Sequence, residues 1–70
     1  MCLYNVIAYT TTDGECIVRT LAGAPDRAVE RCRTIAASYE QEIVKLRLIG
    51  STTDSDEAFR IHKSVNPFQF

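Results

Sequence analysis

Residues 3–11 and 15–22 are two stretches rich in β-branched and aromatic side chains, and Asp13-Gly14 stands between them. Asp-Gly supplies the positive φ angles of a tight two-residue turn, so the pattern predicts a β-hairpin. With Asp13 and Gly14 as the two central turn residues, Thr12 faces Glu15, Tyr9 faces Val18, Ile7 faces Thr20 and Val6 faces Leu21. After Gly23-Ala24-Pro25-Asp26 the period changes. Ala28, Val29, Cys32, Ile35, Ala36 and Tyr39 recur at three- and four-residue intervals, the stripe of an amphipathic helix over about residues 25–40. Pro25 suits its first turn and Asp26 the positive end of its dipole.

Residues 43–49 alternate again, with Val44, Leu46 and Leu48 on one side and Lys45 and Arg47 on the other, which predicts a half-buried third strand. Gly50 to Glu57 then reads as an acidic polar loop. Alternation resumes over residues 58–65, with Phe59, Ile61 and Val65 opposite Arg60, His62 and Ser64, and predicts a fourth strand. Asn66-Pro67 ends it, leaving Phe68-Gln69-Phe70 as an aromatic tail.

The order strand-strand-helix-strand-strand predicts an α+β fold: a four-stranded antiparallel sheet with the helix packed on one face. The third strand pairs with the first in the favoured spatial order second-first-third-fourth, and second-first-fourth-third stays open. In this register Leu3, Asn5, Ile7, Tyr9, Cys16, Val18, Thr20 and Ala22 share the face under the helix. Tyr4, Val6, Ala8, Ile17, Arg19 and Leu21 share the other. Both sets are largely apolar, and one helix covers only one of them. Leaving Val6, Ile17 and Leu21 in water forgoes about 1.5–3 kcal/mol per side chain, so the uncovered face is expected to be an interface. On it Tyr4, Arg19, Lys45, Arg47, Arg60 and His62 come together as candidate partner-binding residues.

That cationic cluster gains meaning from the composition. The 70 residues carry 8 Lys and Arg against 9 Asp and Glu, a net charge of −1, so the positive charge on this face is local. A chain with 46% apolar and 24% charged residues is an ordinary folded domain, read as one unit over 1–70. At this length it buries only about 60% of its unfolded surface and gains from a partner. No apolar run approaches the ~20 residues of a membrane span, and the expected location is the cytoplasm.

Chemistry is sparse. Cys2, Cys16 and Cys32 are odd in number, without C-x-x-C spacing or a companion histidine, so neither a disulfide framework nor a metal site is expected. His62, the only histidine, has no nucleophile or orienting carboxylate placed beside it by the sequence. Gly14, Gly23 and Gly50 lie too far apart for a phosphate-binding loop. The chain is read as non-enzymatic and without a cofactor.

The hairpin Thr12-Asp13-Gly14-Glu15, the helix from Ala24 to Ala36 and the strand IVKLRLI (43–49) together resemble the small phage-encoded anti-CRISPR proteins, in length and in element order. The resemblance covers residues 3–65 and carries no shared functional residues. It implies an inhibitor that binds a Cas protein or surveillance complex in the host-cell cytoplasm and blocks recognition of target DNA. The alternative is a small homodimeric or nucleic-acid-binding regulatory module that uses the same open sheet face. Nucleic acid has the weaker support, because the chain lacks a strongly basic balance and a paired-aromatic RNA-binding signature.

Overall fold

The computed structural model describes residues 2–66, and the Phe68-Gln69-Phe70 tail lies outside them. Its centre is β1 (Tyr4–Thr11), in which Asn5, Val6, Ile7, Ala8 and Tyr9 are all fully buried. A strand apolar on both faces needs a neighbour on each edge and a layer on each face. The neighbours are β2 (Cys16–Ala22) and β3 (Ile43–Thr52), both antiparallel to β1, in the order β2-β1-β3. The layers are α1 (Pro25–Ser38) and α2 (Ser55–Ser64), one on each side. The fold is therefore α+β with a three-stranded antiparallel sheet and two helices; the expected fourth strand is replaced by α2.

Local signals explain that replacement. Asp54 is the N-cap of α2: its Oδ1 accepts from the backbone N–H of Asp56 at 2.9 Å and of Glu57 at 3.4 Å. The Asp54 N–H donates to Thr52 Oγ1 at 3.1 Å, and Thr52 Oγ1 donates to Glu57 Oε2 at 3.2 Å. Asp56 and Glu57 sit in the first turn and His62 and Lys63 in the last, the polarity that a helix dipole favours. Ala58, 2% exposed, turns onto the sheet, and Ile61 Cδ1 comes within 3.5 Å of where a Cβ on Gly50 would stand. The segment 50–57, expected as a loop, is thus the end of β3 and a helix start.

The hairpin also differs by one residue. Its loop is Thr12-Asp13-Gly14, closed by Gly14 N–H to Thr11 O at 2.9 Å and Thr11 N–H to Glu15 O at 3.0 Å, with Gly14 at φ +83°. This is a type I turn followed by a left-handed glycine, the standard three-residue hairpin loop. The register becomes Tyr9↔Ile17, Ile7↔Arg19 and Val6↔Thr20. A slip of one residue exchanges the faces of a strand. Ile17, Arg19 and Leu21 therefore lie on the α1 side, and Val18 and Thr20 on the α2 side.

Beneath α1, Ile7 and Tyr9 pack with Ala28, Cys32 and Ala36, whose spacing of four puts three small side chains on one helix face. Ile17, Leu21, Val29, Ile43 and Leu46 surround them. The buried Tyr9 hydroxyl accepts from Arg19 Nε at 3.0 Å. Helix α1 ends two residues earlier than its apolar stripe predicts. Glu40 adopts φ 57°, its N–H reaches Ala37 O at 3.0 Å, and Gln41 N–H reaches Ala36 O at 2.9 Å. That pair of bonds closes a Schellman cap, with Glu40 in the place glycine usually takes.

Two irregularities bend β3, between the partners of Val6/Ile7 and of Thr10/Thr11. At the second, Val44 falls between the paired residues Ile43 and Lys45 and is 67% exposed, so it leaves the apolar row that its spacing with Leu46 and Leu48 implies. Across the opposite end of the sheet Asn5 links all three strands. Its Nδ2 donates to Leu21 O at 3.0 Å and Gly23 O at 2.7 Å, and its Oδ1 accepts from Ser51 Oγ at 2.7 Å.

Candidate functional site

A cavity of about 290 Å³ opens between α2 and the β2 side of the sheet, lined by Tyr4, Thr20, Ser55, Ala58, Phe59 and His62. Its position follows from the helix period. Ala58, Phe59 and His62 follow Ser55 by three, four and seven residues and share one flank of α2, while Ile61 on the other flank meets β3 at Gly50. Thr20 comes from β2 and Tyr4 from the central strand, opposite Ala22. Ala22 is small and exposed.

The walls are mostly apolar, and their polar atoms are few. His62 Nδ1 and Thr20 Oγ1 share a hydrogen bond of 2.9 Å, joining α2 to β2 across the cavity floor. Either group can supply the proton, depending on the imidazole tautomer. Phe59 is 62% exposed at the rim, with Lys63 Nζ 5.2 Å from its ring centroid. The ammonium over the ring face is a cation–π contact, so charge and aromatic surface are presented together. A concave, largely apolar site with a few convergent polar groups has the anatomy of a binding site, at the small end of the usual size range.

Of the sequence candidates, Tyr4 and His62 meet in this cavity. Arg60 lies on the exposed side of α2, and Lys45 and Arg47 are exposed on β3, at positions paired with Thr10 and Ala8. Arg19 is on the opposite side of the sheet with its guanidinium against Tyr9. The six residues therefore do not share one open sheet face: α2 covers that face, and the one-residue register shift takes Arg19 off it. Phe59, Thr20, Ser55 and Ala58 were not among the candidates. The Asp54–Glu57 cap spacing, read as a helix start, places Phe59 and His62 one turn apart and points to the same flank.

Reactive groups elsewhere are contained. Among the described residues His62 has Thr20 as its hydrogen-bond partner, with no carboxylate bonded to the ring, and no group of three or more metal-ligating side chains comes together. All three cysteines are free thiols: Cys2 exposed, Cys16 half-buried and Cys32 buried. Burial pushes the Cys32 thiol above its ordinary value of 9.0, with Arg19 and Arg31 pulling the other way. No helix among the described residues is long and apolar enough to cross a membrane. No protein-family model matches the chain, and neither a curated protein nor a solved structure is similar to it.

Proposed function

We propose that the chain is a non-enzymatic inhibitor that acts by binding a protein partner through the α2 cavity and its rim. The observation that carries this reading is Phe59, a phenylalanine 62% exposed beside an open apolar cavity. Leaving such a ring in water forgoes burial, and a partner recovers it; aromatic residues flanking a pocket are the usual anchors of protein interfaces. Tyr4, His62 and Lys63 surround it with the mixed aromatic and cationic chemistry that interface centres favour. The resemblance to anti-CRISPR proteins makes a Cas protein or surveillance complex in the host cytoplasm the partner of choice.

The test is phage plating on cells whose CRISPR–Cas system targets that phage, with and without the protein. Expression is expected to restore plating, and Phe59→Ala to abolish the effect while the thermal midpoint stays unchanged, since the ring is mostly exposed. A folded wild-type protein that protects no phage against any CRISPR type tested removes this form of the proposal. Full protection by Phe59→Ala would move the contact away from the α2 rim.

A further inference from the structure

The edge of the sheet beside the cavity has a definite hydrogen-bonding state. Among the described residues strand β2 is paired on one side only. The Gly23 N–H donates to Leu3 O at 2.8 Å and the Thr11 N–H to Glu15 O at 3.0 Å, so the odd-numbered residues of β2 direct their main-chain groups toward β1. Antiparallel ladders alternate, and Cys16, Val18, Thr20 and Ala22 therefore direct theirs outward. The Ala22 carbonyl is taken by Arg31 Nη1 at 3.3 Å. The main-chain groups of Val18 and Thr20 face outward along the rest of the edge. These two residues also have their side chains on the α2 side, where Thr20 lines the cavity.

Edge strands that natural proteins protect carry bulges, prolines or charges. Strand β3 has both bulges and Lys45 and Arg47. Strand β2, CIVRTLA, has neither bulge nor proline, and its one charge, Arg19, is turned to the other side of the sheet against Tyr9. The open edge, the cavity next to it and the exposed Phe59 thus form one groove between β2 and α2.

Charge fixes what fits there. Helix α2 starts near Tyr4, where Ser55 lines the cavity, and His62 lies over Thr20, so the helix runs toward Val18. Its basic end, His62 and Lys63, is therefore on the Val18 side, and its acidic first turn, Asp56 and Glu57, is at the far end. A strand added to β2 would place alternate side chains toward α2, ~7 Å apart. One of them enters the cavity beside Phe59, whose ring carries Lys63 Nζ 5.2 Å from its centroid, and the next follows the helix toward its basic end.

We infer that the groove between β2 and α2 takes an extended segment of the partner protein by strand addition, seating an apolar side chain in the cavity and an Asp or Glu two residues later at Lys63. The order follows from antiparallel pairing, in which the added strand runs from the Ala22 end toward Val18. This deepens the protein-binding reading and rests on it. Main-chain bonds supply the affinity in this mode, and the two side-chain positions supply the selectivity.

The probe is an array of synthetic heptapeptides with two positions, spaced by one residue, varied over all side chains, read with the labelled full-length protein. Enrichment of apolar-x-Asp/Glu is expected. A single N-methyl group on a peptide nitrogen that faces β2 is expected to weaken binding at least tenfold. Lys63→Glu, an exposed change, is expected to turn the preference at the second position to Lys and Arg, and amide resonances of Val18 and Thr20 to shift on titration of a selected peptide. A silent array, binding indifferent to N-methylation, or shifts confined to β3 overturns the inference. Protection of the Val18 and Thr20 amides that grows with protein concentration in the absence of peptide assigns the edge to a second copy and overturns it as well. The two readings separate cleanly. Loss of phage protection in Phe59→Ala with a silent array leaves the inhibitor standing without the groove, whereas a selective array with no protection leaves the groove without the inhibitor.

Discussion

Asn5→Ala removes a buried side chain that bonds to residues from both flanking segments of the central strand. Asn5 is fully buried and makes three hydrogen bonds, to Leu21 O, Gly23 O and Ser51 Oγ. Each bond contributes about 1 kcal/mol net. Gly23 and Ser51 are exposed, so water takes over part of what they lose, and the expected loss is about 2–4 kcal/mol. For 70 residues the total stability is about 4–10 kcal/mol, so the variant loses a large share of it. Urea titration followed by far-ultraviolet circular dichroism gives the difference directly. Ser51→Ala removes only the third bond and should cost about 0.5–1 kcal/mol. Asn5→Asp supplies the diagnostic control. It keeps the acceptor for Ser51 but aims a carboxylate at two carbonyl oxygens, so at neutral pH it should be less stable than Asn5→Ala and recover as acid protonates it. A loss below about 0.5 kcal/mol for Asn5→Ala, or an Asn5→Asp variant insensitive to acid, refutes the reasoning that this clasp holds the sheet together.

Other expectations follow from the helix ends and the buried thiol. Asp54→Ala should cost about 1 kcal/mol and raise amide exchange along α2 before the rest of the molecule, as hydrogen exchange would record. Glu40→Gly should stabilise by about 0.5–1 kcal/mol in the same urea assay, since it relieves a left-handed residue, φ 57°, at some cost in chain entropy. The Cys32 thiol is raised above 9.0 by burial, so its contribution is intact below that pH and is lost as pH rises through the folded-state value. The urea midpoint should therefore fall as pH rises above 9.0, and fall less in Cys32→Ala. A thiol reagent at neutral pH should label Cys2 first and reach Cys32 only on unfolding.

The parts of the fold that the sequence discloses are those whose signals do not compete. The stripe Ala28-Cys32-Ala36 has one period and one face, and it becomes the buried face of α1. The hairpin is marked by Asp13-Gly14, but Asp-Gly serves a two-residue and a three-residue loop equally well, so the register and the faces of β2 are open to a slip. Residues 54–65 carry two contradictory patterns. Phe59 and Ile61 alternate like a strand, whereas Asp54, Glu57 and the charge polarity from Asp56 to Lys63 describe a helix, and the capping geometry prevails. The candidate site depends on both decisions. Tyr4 and His62 are recognisable as residues in need of company, but the flank that unites them with Phe59 exists only once α2 is a helix and Thr20 faces it.

The central place of β1 has a consequence for how the chain comes to be folded. Its first partner, β2, is reached through a loop of residues 12–14, its second, β3, only across residues 12–42, which costs about 2 kcal/mol more in loop-closure entropy. During synthesis the hairpin and α1 precede β3 and α2, so the α1 side of the sheet, still lacking Ile43 and Leu46, has its helix before the other side does. Until α2 winds onto it, Val6, Ala8 and Val18 form a wet apolar surface beside an open strand edge. That half-finished species, rather than the native protein, is where a molecular chaperone or another nascent copy of the chain would take hold.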